Sequence, residues 1–96
     1  MKFEWDPVKN KANIYKHCVS FEDAETVFDD KMAVYIYDEK HSGDEERFYI
    51  IGEDRIFREL TVCHCYRSTD NEVIRIISAW KASKTESDYY NGRNNE

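Results

Sequence analysis

Arg67 and Arg75 flank a short polar turn, Arg67-Ser-Thr-Asp-Asn-Glu72, between two apolar runs rich in β-branched residues. Runs joined so closely pair as antiparallel strands. That pairing brings two guanidinium groups within a few ångströms on one face. An arginine inside Ile74-Arg75-Ile76-Ile77 is costly to bury unless paired. Two readings stand: an ion pair with a carboxylate such as Glu46 or Glu59, or a phosphate-binding arginine on an open sheet face. The pattern does not fix register, and a one-residue slip would set Arg75 beside His64. His41, in the charged loop Asp38-Glu-Lys-His-Ser-Gly-Asp-Glu-Glu46, has the side-chain type for acid–base work near neutral pH, although loop histidines are often simply solvated. Glu46 and Arg47 are neighbours, so on a strand they face opposite ways, one of them inward to an ion pair. Lys81 and Lys84 form either a solvated face or, beside Arg75, a basic track along an RNA backbone. Tyr66 and Trp80 carry rings that stack on bases or fill a core. Lys9 and Lys16 make the first helix basic, and His17 suits the negative end of its dipole.

Other chemistries find little support. Three glycines in all leave no phosphate-cradling loop, and no serine triad can be assembled. Cys63-His64-Cys65 suggests zinc, but strand alternation sends the thiols to one side and the imidazole to the other. With Cys18 the thiols number three, which fits reduced, packed side chains of a bacterial cytoplasmic protein. No metal or other cofactor is expected. No apolar run is long enough to span a membrane, and Glu4 and Asp6 stand where a signal peptide would be apolar.

Ninety-six residues are expected to form a single domain over 1–90, with a polar, flexible tail at 91–96. The net charge of −6 argues against nucleic acid, but its distribution matters more. Residues 1–54 carry 7 basic and 14 acidic side chains, a balance of −7, and residues 55–96 carry 7 and 6, a balance of +1. The second half can present a basic patch, and the first half can meet a basic partner.

The elements that must position these residues follow from local pattern. Phe3-Glu-Trp5 alternates as a strand. Asp6-Pro7 caps and starts a helix reaching about His17, with Val8, Ile14 and Tyr15 as a thin apolar stripe. Ser20-Phe-Glu-Asp23 is a capping box for a second helix whose Phe21, Ala24, Val27 and Phe28 face the core. Ala33–Tyr37, Arg47–Ile51, Ile56–Tyr66 and Val73–Ala79 read as strands, and Ala82–Tyr90 as a helix. The order β-α-α-β-β-β-β-α predicts an α+β fold: one antiparallel sheet of four to five strands, two N-terminal helices and a C-terminal helix.

Many short motifs in a fixed order give the chain a family likeness. They are Phe3-Glu-Trp-Asp6 with Lys9 and Asn13, Lys16-His17 with Val19-Ser-Phe21, Ala24 and Phe28, Asp38 with His41-Ser42, Glu46-Arg47 ahead of Gly52, and Arg75-Ile-Ile-Ser-Ala79 with Lys81-Ala82, Glu86 and Tyr90. The chain resembles the BrnT family of bacterial toxins. The resemblance implies a RelE-like fold and metal-independent RNA cleavage that arrests translation. It also implies a BrnA-like antitoxin that buries the toxic site and alone binds operator DNA, in a toxin homodimer or a heterotetramer with antitoxin. Carried onto this sequence, Arg67 and Arg75 steady the phosphorane with help from Lys81, and His41 or Glu46 is the base. Lys9, Lys16, Lys84 and Tyr66 would contact RNA. Two positions depart from the family. Cys18 replaces a glycine, a strain of about 1 kcal/mol if the backbone there is left-handed. Trp80 replaces an arginine, which favours a second reading: a weakened or inactive homologue that binds antitoxin and regulates its operon.

Overall fold

The computed structural model describes residues 1–67, 70 and 72–92. Most of the polar turn (Ser68, Thr69, Asn71) and the tail from Arg93 lie outside the described residues. The elements are β1 (Lys2–Glu4), α1 (Pro7–His17), α2 (Phe21–Glu25) continued by a 3₁₀ turn (Thr26–Asp29), β2 (Val34–Tyr37), β3 (Arg47–Glu53), β4 (Glu59–Tyr66), β5 (Val73–Lys81) and α3 (Lys84–Tyr90). They build one five-stranded sheet in the order β1-β5-β4-β3-β2. The expected antiparallel pairing holds along β2, β3, β4 and β5. β1 differs: it pairs parallel with β5, because the chain returns to it only after the whole fold has been traversed.

The helix starts follow the local chemistry. Asp6 accepts from Val8 N with Pro7 in the first turn, and Ser20 accepts from Asp23 N. Ser83 and Glu86 form a reciprocal capping box that starts α3 two residues later than expected. At the end of α1, Cys18 does take the left-handed conformation, with φ 58°.

The core lies between the sheet and α2. Val19, Phe21, Ala24 and Val27 pack on Ile50, Leu60, Val62, Ile76 and Ala79, all buried. Each large side chain of this kind contributes about 1.5–3 kcal/mol relative to exposure. The helical segment approaches so closely at Gly52 that a Cβ there would lie 2.9 Å from Asp30 Oδ2 and 3.0 Å from Ala33 Cβ.

α1 packs in a way its apolar residues do not suggest. The expected stripe faces solvent, with Val8 75% and Tyr15 91% exposed. Two asparagines dock the helix instead. Asn10 Oδ1 accepts from Phe21 N, and its amide donates to Glu22. Asn13, buried, donates to Val19 O and Ala79 O and accepts from Ala79 N. β1 is only three residues long, so β5 has a bare edge at Ala79, and the Asn13 amide satisfies it as a strand would.

Two features set which residues share the face away from α2. A bulge in β5 places Cys63 opposite Ser78 but His64 opposite Ile76. The extra residue switches the alternation, so Arg75 shares a face with Ser78 and Trp80 rather than with Ala79 and Lys81. α3 then covers one end of that face. Glu86 accepts from Thr61 Oγ1 and Trp80 Nε1, and the Tyr90 hydroxyl donates to Asp30.

Candidate active site

The exposed remainder of this face is cationic at its centre. Arg47, Cys65 and Arg75 lie side by side across β3, β4 and β5, and β1 brings Glu4 beside Arg75. Arg75 Nη1 lies 2.9 Å from Glu4 Oε2, and Arg67 Nε lies 3.8 Å from the same oxygen. Arg67 also holds Glu45 at 2.7 Å. The hairpin arginines therefore converge, but on Glu4 rather than on Glu46 or Glu59, the partners read from sequence. Glu59 instead accepts from the Ser87 hydroxyl. Arg47, half-buried in the same row, forms no ion pair among the described residues.

Next to this row stands a hydrogen-bonded pair. Asp38, almost fully buried, receives His41 Nδ1 at 2.9 Å. The carboxylate also interacts with the Tyr49 hydroxyl. Burial alone would raise the Asp38 pKa. The hydrogen bonds from Tyr49 and His41 outweigh it and hold the carboxyl below its usual range. Burial, and then Asp38, push Tyr49 up to about 12, so it stays a phenol and a donor. The imidazole is half exposed and tethered through Nδ1, which leaves Nε2 for a ligand. Ser42 fixes the loop by donating to Asp38 O and accepting from Arg47 N.

The remaining sequence candidates fall elsewhere. Lys81 follows the alternation of Ala79 onto the α2 side, so the bulge corrects the expectation that it lies beside Arg75. Glu46 is exposed beside Phe48 and Tyr66, on the rim of a cleft that Glu45, the partner of Arg67, also lines. Neither Glu46 nor Arg47 forms the inward ion pair expected of one of them, among the described residues. Tyr66 packs against Phe48 and His64 in an aromatic group on the α2 side. Lys84 is exposed and pairs with Asp88, and Lys9 and Lys16 are exposed on α1. Trp80 does reach the open face. Its ring lies 5.9 Å from Tyr49 and 6.3 Å from His17, which brings the end of α1 to the site.

Cys63 and Cys65, both buried, are poor nucleophiles here. Burial raises the Cys63 pKa, and burial with Glu45 pushes Cys65 up to about 11. His64 turns away from both thiols into a cage of Phe28, Tyr35, Phe48 and Tyr66. Among the described residues no group of three or more His, Cys, Asp or Glu side chains is arranged to hold a metal ion, and no helix is long and apolar enough to cross a membrane. Arg47 and Asp38 were the site residues sequence reasoning missed. Their signal was alternation: Arg47 shares parity with Tyr49, and Asp38 with Ile36.

The fold is an α+β sheet with cations and an Asp–His pair on its free face. It is similar to the crystal structure of the Brucella abortus ribonuclease toxin BrnT, with a TM-score of 0.65, 27% identity, and coverage of 88% of this chain and 99% of that one. Residues 5–86 match the family described as "Ribonuclease toxin, BrnT, of type II toxin-antitoxin system". The chain belongs to that family. No curated protein matches the sequence. A type II toxin–antitoxin family implies an antitoxin partner.

Proposed function

We propose that this protein cleaves RNA by attack of a ribose 2′-hydroxyl on the adjacent phosphate, without a metal, and so arrests translation. One observation carries the reading: Arg47, Arg67 and Arg75 share a face with a histidine tethered to a buried carboxylate. His41 Nε2 takes the 2′-hydroxyl proton as that oxygen bonds to phosphorus, and Asp38 orients the ring and favours the imidazolium that forms. The P–O5′ bond breaks, leaving a 2′,3′-cyclic phosphate, and the departing 5′-oxygen takes a proton from the imidazolium or from water. Arg47 and Arg75 stabilise the charge developing on the phosphorane, and Arg67 braces Glu4 beside them. Lys9 and Lys16 extend the cationic surface along α1. The need for a 2′-hydroxyl restricts the substrate to RNA. A BrnA-like antitoxin covers this face, within a homodimer or heterotetramer, and only that antitoxin binds operator DNA.

Two observations favour a second reading, a weakened toxin that mainly binds antitoxin. Glu4 already neutralises Arg75, and Trp80 brings no charge where the family resemblance implies arginine. Incubation of the purified protein with RNA, with and without EDTA, separates the two. The nuclease reading expects cleavage that survives EDTA and falls about 10²-fold or more in Arg47→Ala and Arg75→Ala, the scale of a lost electrostatic donor. No cleavage by the wild-type chain, with tight antitoxin binding, supports the second reading.

A further inference from the structure

The sheet carries a second exposed feature on the opposite side from the arginines. Beyond the cover of α2 and its 3₁₀ turn, Tyr37, Phe48 and Tyr66 form a continuous aromatic floor across β2, β3 and β4, with centroids 5.4 Å and 5.6 Å apart. Tyr35, 56% exposed, extends it along β2. An open cleft of about 380 Å³ lies over Phe48 and Tyr66 and is rimmed by Asp44, Glu45 and Glu46. Glu45 is committed to Arg67, but Asp44 and Glu46 form no ion pair among the described residues. Partly exposed rings beside unneutralised carboxylates are unfavourable for RNA and unsuited to a purely apolar partner. They suit a planar cation, which stacks on the rings while the carboxylates accept its N–H groups. The charge of residues 1–54, −7, attracts such a partner at longer range.

We propose that this acidic aromatic cleft docks an arginine-bearing segment of a partner protein. The partner rests on the antitoxin implied by the family, but the docking does not depend on catalysis, because the aromatic floor lies on the opposite side of the sheet from Arg47 and Arg75 and the cleft meets the arginine row only through Glu45, the partner of Arg67. The cleft anchors the partner and leaves the face to be inhibited to other parts of it.

The test titrates the full chain with an amidated Arg-Gly-Arg-Gly-Arg-Gly peptide and follows backbone amide shifts by NMR. Shifts are expected at residues 37, 44–48 and 66. Asp44→Asn and Tyr37→Ala should each weaken binding about threefold, the scale of one exposed ion pair or ring–cation contact. Glu25→Gln with Asp29→Asn, two carboxylates that do not line the cleft, should leave it unchanged, and a citrulline peptide of the same length should not bind. RNA cleavage by Asp44→Asn should equal that of the parent, so a failed nuclease reading would leave this result intact. Shifts spread over the acidic surface, equal affinity of the citrulline peptide, or insensitivity to both cleft variants would each overturn the proposal. So would self-association through the cleft in sedimentation experiments.

Discussion

Trp80 stands on the arginine face where the family resemblance implies an arginine, and the two proposed readings of the site divide on it. Its indole donates to Glu86 Oε1 at 3.1 Å, an oxygen that also receives Thr61 Oγ1 and Ser83 N. The ring is thus positioned by hydrogen bonding and by contact with Tyr49, but it offers no charge to a phosphate. Trp80→Arg should raise RNA cleavage about 10²–10³-fold and slow growth of a host lacking antitoxin. Equal toxicity of the two forms would discard this role. A second residue, His64, bears on stability. Its ring is fully buried, Nδ1 faces Val62 O at 3.1 Å, and Nε2 has no partner among the described residues. Burial depresses its pKa below the ordinary value, so the folded protein holds it neutral. As pH falls, the unfolded chain binds the proton first, at about 6.5. The contribution is therefore complete above that pH and is lost below it, at up to about 1.4 kcal/mol per unit. His64→Leu removes the titration. The urea midpoint of the parent relative to this variant should fall between about pH 7.5 and 5.5, and a pH-independent gap would refute the assignment.

At the scale of elements, the unexpected finding is that α1 is attached by amides rather than by apolar residues. Asn13 satisfies both backbone groups of Ala79, and among the described residues no strand pairs with that stretch of edge. Asn13→Ala should lower stability by about 2–4 kcal/mol, the cost of leaving two buried backbone groups unpaired. Chemical denaturation measures it, and a loss under about 0.5 kcal/mol, the ordinary effect of a surface change, would mean water replaces the amide. This element also shows what the sequence makes legible. Asp6-Pro7 and Ser20-Phe-Glu-Asp23 announce helix starts because capping is settled within four residues. The alternation of Arg47–Ile51 and Leu60–Cys65 announces strands for the same local reason. The role of Asn13 is invisible locally, because it depends on β1 stopping at Glu4, some distance away in the fold. The bulge in β5 is equally nonlocal, and by switching parity it moves Lys81 away from Arg75 and brings Trp80 onto the arginine face. Arg67 and Arg75 could be read as a pair, but their shared partner Glu4 comes from the far end of the chain.

At the scale of the whole molecule the proposed function poses an electrostatic problem, since it asks a chain of net charge −6 to hold a polyanion. Segregation answers part of it: Asp44 and Glu46 form no ion pair among the described residues and line a cleft with Phe48 and Tyr66, on the other side of the sheet from Arg47 and Arg75, and only Glu45 of that rim reaches the arginine row. Within the row the cationic excess is still small. Arg47, Arg67 and Arg75 oppose Glu4 and Glu45, and only Arg47 is free of an ion pair among the described residues. RNA binding should therefore release few counterions. Each neutralised phosphate of a single strand contributes a slope of about −0.7 to log K against log salt, so one or two phosphates give about −0.7 to −1.4. Fluorescence anisotropy with a 2′-O-methyl oligonucleotide, which binds without being cleaved, can measure this between roughly 50 and 300 mM salt. Glu4→Gln is the informative variant, because it frees Arg75 and loosens Arg67. Its slope should steepen by about 0.7 and its affinity rise at low salt, as one further guanidinium becomes available to phosphate. A parent slope steeper than about −4 would require a larger basic surface than this face possesses. An unchanged slope in Glu4→Gln would show that Arg75 stays out of reach of the RNA, and the phosphate would then rest on Arg47 alone.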